Sequence, residues 1–157
     1  LWSRYPISDV RIDDGFWLGM LAADVHVPEA PAPARVLTVH LSAPWPDPLQ
    51  GWRDDLARLA GTLLKAARAS TGPVLLAGDL NAIPDMREFR RLLRQGYQDA
   101  GAQTGAGVVR THPSDIVAPP VFAVDHILTR GYVATSLRTL QVPGSDHRAL
   151  LAQLVAG

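Results

Sequence analysis

Cysteine is missing from this chain of 157 residues, which rules out a disulfide framework and a thiolate metal site and leaves the redox compartment open. Lysine is nearly missing: Lys65 stands alone beside fourteen arginines, and with the many alanines and prolines this points to a GC-rich bacterial genome. Glutamate occurs twice, at Glu29 and Glu88. No stretch approaches the ~18 consecutive apolar residues of a membrane span, and Leu1-Trp2-Ser3-Arg4 does not read as a signal peptide. Excess charge of either sign is also absent, because acids and bases cancel. That balance argues against a protein that holds nucleic acid chiefly by neutralising phosphates, and it indicates no constitutive nucleic-acid partner. It leaves room for an enzyme that touches a few phosphates in a small cleft. What the chain does have is apolar residues, 47% against 19% charged, enough for a core in one ordinary domain or a piece of a larger one.

The stretch around which the rest is organised runs from Pro73 to Ala82. Val74-Leu75-Leu76-Ala77 reads as a short central strand buried on both faces. At its end Gly78, Asp79 and Asn81 follow within four positions, and Pro84 and Gly96 bracket a helical pattern. A carboxylate and an amide at the carboxyl end of a central strand stand where open α/β sheets bind ligands. The alternative is that Asp79 and Asn81 only shape a turn and cap the next helix.

Upstream, Leu1 to Ile7 reads as the tail of a strand that turns at Pro6, and Asp13-Asp14-Gly15 is a turn signal. Phe16–Val27 and Arg35–Ser42 read as strands of an antiparallel hairpin with a proline-stiffened tip. Alternation in the second puts Val36, Thr38, His40 and Ser42 on one face. Trp45 lies in the rigid loop Ala43–Pro46, where it could line a cleft or pack on the core. Asp47-Pro48 reads as the cap and first residue of a helix carrying Leu56, Leu59, Leu63 and Ala67 at helical spacing, with Asp54 and Asp55 placed early as the dipole prefers. A second helix is expected from about Pro84 to Gln95, with its four arginines read as a solvated face. Gln98 to Pro120 is the longest irregular stretch and contains Thr111-His112-Pro113, and loops of that length are often functional. Val121 to Leu128, Tyr132 to Val142 and Ala149 to Val155 read as strands. Asp125 interrupts an apolar face of the first of these, and a buried carboxylate needs a partner.

Four groups thus stand out: His40 at a strand end, Asp79-Leu80-Asn81 at another, Asp125 within a strand, and Asp146-His147 after the turn Pro143-Gly144-Ser145. These residue types suit metal-assisted hydrolysis of a phosphate ester. Hard carboxylate oxygens hold a divalent ion, and a carboxylate with an amide can orient and deprotonate a water. An imidazole aligned by a buried Asp can stabilise the charge that develops on the phosphorus oxygens.

Gly78-Asp79-Leu80-Asn81-Ala82, Val124-Asp125-His126-Ile127-Leu128 and Gly144-Ser145-Asp146-His147-Arg148 resemble three signatures of the endonuclease/exonuclease/phosphatase superfamily. Val39-His40-Leu41-Ser42 resembles a fourth, and Ser3-Arg4-Tyr5-Pro6-Ile7 is similar to a mid-domain segment of that family. More narrowly, the chain is similar to actinobacterial membrane-anchored members. The resemblance implies an α/β (α+β) fold, here the C-terminal part of a four-layer αββα sandwich whose mostly antiparallel sheet is covered by helices. By position, it implies that Asp79 and Asn81 activate the attacking water, His40 bonds the scissile phosphate, and Asp125 orients His147. Asp146 and Asp79 would hold Mg²⁺, Mn²⁺ or Ca²⁺, and Arg4, Trp45 and Thr111 are candidate substrate contacts.

One departure bears on this. The family's early Asn and metal-binding Glu have no counterpart, since neither Glu29 nor Glu88 fits the family position. Residues 1–157 are therefore expected to form one partial domain whose partner is the N-terminal half. The inner face of its sheet should then be apolar and uncovered. The expected activity is divalent-metal-dependent phosphodiester hydrolysis on a small phosphodiester, a lipid headgroup or nucleic acid, in a bacterial, membrane-anchored, extracytoplasmic setting. The alternative is a catalytically inactive module that binds a phosphorylated ligand, or an inactive fragment without the metal-binding Glu. A calcineurin-like two-metal phosphoesterase is set aside, because its Asp-x-His and Gly-Asn-His clusters are absent.

Overall fold

A computed structural model describes residues 1–28 and 30–157; Glu29, one of the two glutamates, lies outside the described residues. Six strands form the main sheet in the order β1-β2-β3-β4-β6-β5: β1 Ile7–Asp13, β2 Met20–Val25, β3 Ala34–His40, β4 Val74–Asp79, β5 Gln98–Asp99 and β6 Asp125–Arg130. Only β3 and β4 run parallel, joined by the crossover helix α1 Leu49–Ala69; the other neighbours are antiparallel. The helices α2 Arg87–Leu93 and α3 Ala100–Gln103 follow β4 and β5. A separate two-stranded sheet is formed by β7 Tyr132–Leu140 and β8 Ala149–Ala156. The mixed α/β, mostly antiparallel architecture expected from the sequence is therefore present.

Helix α1 buries Trp52, Leu56, Leu59 and Leu63, a stripe at helical spacing, against Leu37, Leu76 and Leu128 of the sheet and Phe89 and Leu92 of α2. Each such side chain contributes about 1.5–3 kcal/mol by leaving water. Tyr97 locks the layer: its hydroxyl donates to the Leu63 carbonyl at 2.9 Å, and burial pushes its pKa up to about 12. Gly96 ends α2 at φ +86°, a conformation that costs a residue without Cβ little.

Several sequence expectations need correction. Leu1 to Pro6 form no strand, because their apolar residues have no ladder to join and Leu1 and Trp2 stay exposed. The first strand of the hairpin starts at Met20, since Phe16 turns inward at a corner. Pro48 occupies the α1 N-cap in an extended conformation without a side-chain cap, so neither Asp47 nor Pro48 starts the helix as expected. Helix α2 spans seven residues, and its N-cap is Met86. Within the stretch expected to be irregular, Asp99 caps α3 by accepting from the Gly101 and Ala102 amides. Strand β6 begins at Asp125, four positions later than Val121.

Strand β4 is central but is not buried on both faces. Val74 and Leu76 are sealed under the helices, while Leu75 and Ala77 on the inner face are half-buried. Beyond them lies an open groove of about 920 Å³ lined by Val25, Val36, Leu75, Tyr132 and Leu154. The β7–β8 pair meets the main sheet chiefly at β6, and the apolar groove beside it leaves part of the inner face open.

Candidate active site

Register places the site. His40 pairs with Asp79 across β3–β4, and Asp79 pairs with Asp125 across β4–β6. Paired residues share a face, so three polar side chains stand in a row at one end of the inner face. Alternation then explains the signature around Asp79. Leu80 and Ala82 turn into the core and are fully buried, which leaves Asp79 and Asn81 for the opposite side. Gly78 is required by the sheet itself, because a Cβ there would lie 2.0 Å from the Val39 carbonyl oxygen.

Asp79 is held and exposed by its two oxygens separately. Oδ1 accepts from the Asn81 amide at 2.8 Å, and Oδ2 lies 3.4 Å from His40 Nε2 and 3.8 Å from His147 Nε2. Asn81 adopts φ +46° and donates Nδ2 to the Leu41 carbonyl at 2.9 Å, tying the β4 turn to the end of β3. The pair does shape a turn, but it caps no helix, since the α2 N-cap is Met86. Burial raises the Asp79 pKa most, and the neighbouring Asp125 charge adds to this. The Asn81 amide, His147 and His40 pull the other way without reversing it.

Asp125 has the partner that its position demanded: its Oδ2 lies 2.7 Å from His147 Nδ1. Partial burial works against the charged imidazole of His147. The Asp125 hydrogen bond and the charges of Asp125, Asp79 and Asp146 outweigh it, so the His147 pKa is raised above 6.5. His126, next to Asp125, points to the helical side. It bonds Asp99 Oδ2 at 2.9 Å and the Ala82 carbonyl at 2.8 Å and lies 4.3 Å from the Phe89 ring, so it is a structural histidine that pins the Asp79–Ala82 turn from behind.

Asp79, Asp125 and His147 present ligand atoms within 4.8 Å of one another. The set is rich in hard oxygen, as Mg²⁺, Mn²⁺ or Ca²⁺ requires, and a cation would offset the burial and the repulsion from Asp125 that raise the Asp79 pKa. Asp146, on the rim with its side chain 60% exposed, is oriented by the same turn. Glu88 is remote: it faces Arg87 on α2 at 3.7 Å and lines a groove between the two outer helices.

The three candidate substrate contacts fare differently. Arg4 precedes Ile7, which pairs with Val25 at the end of the sheet opposite His40. Six strand positions at ~3.3 Å each separate the two ends, about 20 Å, so Arg4 is not part of this site. Trp45 is 83% exposed on the loop after β3, which excludes packing on the core. Thr111 is fully buried, and its carbonyl accepts from the Arg148 amide at 2.9 Å, so it braces the His147 loop from within. Ser42 does not share the His40 face, because β3 ends at His40 and Ser42 is drawn to α1 by Asp55.

Two residues at or behind the site escaped the sequence reading. His112 follows Thr111 in the sequence, and its ring lies 4.4 Å from that of His147, tilted by 36°. The signal was the imidazole itself, in a long loop of a protein with five histidines. Asp55 is not an exposed dipole partner. It is 5% exposed and accepts from the Ser42 amide and hydroxyl and from the Trp17 amide, which clamps two loops near the site to α1.

The model of the Endonuclease/Exonuclease/phosphatase family matches residues 1–147. A search of curated protein sequences finds no match. Solved structures share the fold. A 3′ phosphatase, NExo, from Neisseria bound to a product DNA hairpin matches at TM-score 0.79 and 19% identity over 98% of this chain and 73% of its own. A functionally unknown conserved protein from Enterococcus faecalis V583 matches at TM-score 0.70 and 19% identity over 88% of this chain and 56% of its own. A mannosyl-6-phosphatase from Bacteroides thetaiotaomicron matches at TM-score 0.64 and 14% identity, with 90% and 59% covered. The chain thus spans little more than half the length of two of these proteins.

Proposed function

Because the chain belongs to the endonuclease/exonuclease/phosphatase family, we propose that it carries the catalytic face of a divalent-metal-dependent phosphoesterase that attacks phosphorus with an activated water. One observation supports this most: Asp79 Oδ2 stands between His40 at 3.4 Å and His147 at 3.8 Å, while Asp125 holds the far side of His147 at 2.7 Å. That is a base, two donors for phosphoryl oxygens and an orienting carboxylate around one point.

In this reading Asp79 uses its free oxygen to take the proton of the water, which the Asn81 amide helps to orient. His40 and a protonated His147 donate to the non-bridging oxygens as negative charge builds. Asp125 keeps His147 in the tautomer and charge state for that task. The divalent ion, held by Asp79 with Asp125 or Asp146, would polarise the phosphoryl group and neutralise its charge. A further carboxylate from outside these residues would complete its ligands.

The substrate we propose is a small phosphodiester or phosphomonoester, a lipid headgroup included. The neutral charge balance disfavours grip on long duplex DNA, and the exposed Trp45 offers a flat surface to the non-phosphate part. No helix among the described residues is long and apolar enough to cross a membrane.

The test is hydrolysis by the full-length protein of bis-p-nitrophenyl phosphate and p-nitrophenyl phosphate, with Mg²⁺ and with chelator. We expect Mg²⁺-dependent release of nitrophenol, lowered about 10²–10⁴-fold in Asp79→Ala, the range for loss of a general base. Tight binding of phosphate ligands with no turnover would replace this reading with that of a binding module.

A further inference from the structure

His112 has no part in the chemistry proposed above, yet it is held in place as firmly as the residues that do. Its amide and carbonyl both pair with Phe122, and Ser114, two positions on, donates its amide to the Asp146 carbonyl at 2.7 Å. The Ser114 hydroxyl reaches the Ser145 carbonyl, and the Ser145 hydroxyl in turn accepts from the His147 amide. The His112 loop and the Asp146–His147 turn are thereby laced into one unit. Within it the two imidazole rings lie 4.4 Å apart at an interplanar angle of 36°, and His112 Nδ1 is 4.0 Å from Asp146 Oδ2.

His112, Asp146 and His147 each offer a ligand atom, all within 4.8 Å of one another. Tetrahedral zinc, with bonds of ~2.0–2.1 Å, needs its ligand atoms about 3.3 Å apart. The His112 ring is held between Phe122 and His147 with its Nδ1 3.3 Å from the Asp146 carbonyl, and Asp146, with its side chain 60% exposed, has room to turn its carboxylate toward the two imidazoles. His147 is already prepared as a ligand. Its Nδ1 bonds Asp125 at 2.7 Å, so Nε2 is the nitrogen left for a metal, and a carboxylate behind an imidazole is how proteins commonly orient metal-binding histidines. Two imidazoles and one carboxylate favour a borderline cation such as Zn²⁺ over Mg²⁺, which seeks oxygen.

We propose that His112, Asp146 and His147 form a Zn²⁺ site that overlaps the hard-cation site around Asp79 at His147 and Asp146 and is distinguished from it by His112, and that zinc bound there withdraws His147 from hydrolysis. The withdrawal rests on the phosphoesterase reading; the zinc site does not.

Full-length protein stripped with chelator is titrated with Zn²⁺ by calorimetry, and with Co²⁺ by ligand-field absorption. We expect a single site with tetrahedral Co²⁺ spectrum, and affinity at least tenfold weaker in His112→Phe, which keeps an aromatic ring against His147. Under saturating Mg²⁺, zinc inhibition of hydrolysis should move to at least tenfold higher zinc in that variant. Equal Zn²⁺ affinity in wild type and His112→Phe, or no zinc binding by the wild type, overturns the site. Zinc binding through His112 without inhibition of an active enzyme overturns the withdrawal of His147. If no hydrolysis is found at all, the phosphoesterase reading fails while the Co²⁺ spectrum still decides the site.

Discussion

Asp79 and Asp125 stand directly opposite each other across the antiparallel β4–β6 ladder, two carboxylates on one face with a single histidine in reach of both. Like charges in cross-strand pairs destabilise a sheet. The arrangement therefore works against the fold and is tolerable because His147 sits beside the pair, with room for a cation. Its consequences can be measured.

The Asp79 pKa is raised by burial first and by Asp125 second. A group whose folded pKa lies above its unfolded value of 3.8 favours the fold below that value and loses the contribution as pH rises. At pH 7.5 the ionised carboxylate is thus a cost to the metal-free protein. Asp79→Asn removes it, while the amide oxygen still accepts from the Asn81 backbone. We expect the variant to lose hydrolysis and yet to melt about 2–4 °C higher than wild type in chelator, the shift given by about 1 kcal/mol in a domain of this size. The gain should shrink as pH is lowered toward 4. A variant that melts lower at every pH would show that Asp79 supports the fold instead of straining it.

For His147 the sign is the other way in usefulness. Burial lowers its pKa, but the Asp125 bond and the surrounding carboxylates raise it further, so the protonated ring is favoured in the fold. Stability from this source is complete below the unfolded value of 6.5 and is lost as pH rises through the higher folded value. In metal-free Asp125→Asn, the carbon-bound ring protons of His147, followed by NMR, should titrate at lower pH than in wild type. The stability difference between the two proteins should be largest below pH 6 and narrow above the wild-type His147 transition. An unchanged titration would mean that Asp125 does not set the charge on His147.

These residues were legible because strand period and burial act locally. The break that Asp125 makes in an apolar face is visible in eight residues of sequence, and the need of a partner follows from desolvation alone. The same holds for Asp79 and Asn81, which alternate with Leu80 and Ala82. What a sequence pattern does not carry is which end of a sheet a segment reaches. Arg4 adjoins a strand, but the antiparallel turn at Asp13–Met20 carries its end away from the site. Nor does pattern tell which of Thr111 and His112 faces outward: Thr111 is sealed in, while His112 stays partly exposed. Asp55 fits a helix-dipole role in the sequence, and only the fold brings Ser42 and Trp17 to it.

The glycine of the Asp79 signature provides the last prediction. Gly78 follows Ala77 in a strand where side chains alternate, and the position of its absent Cβ is already occupied by the Val39 carbonyl of the parallel neighbour β3. In Gly78→Ala the methyl has only backbone to displace, so β3 and β4 must separate at the positions just before His40 and Asp79. Overpacking of this kind costs about 1–3 kcal/mol or more, and the His40–Asp79 distance of 3.4 Å cannot survive the separation unchanged. We expect a lower urea midpoint together with a loss of activity larger than the unfolded fraction explains. Gly61→Ala is the control. It lies inside α1 with nothing within 4 Å of its added Cβ, so it should stabilise the protein by about 0.8–1 kcal/mol through helix propensity and leave hydrolysis as it was. If Gly78→Ala behaves like Gly61→Ala, the glycine is not what sets the spacing of the two strands that hold the site.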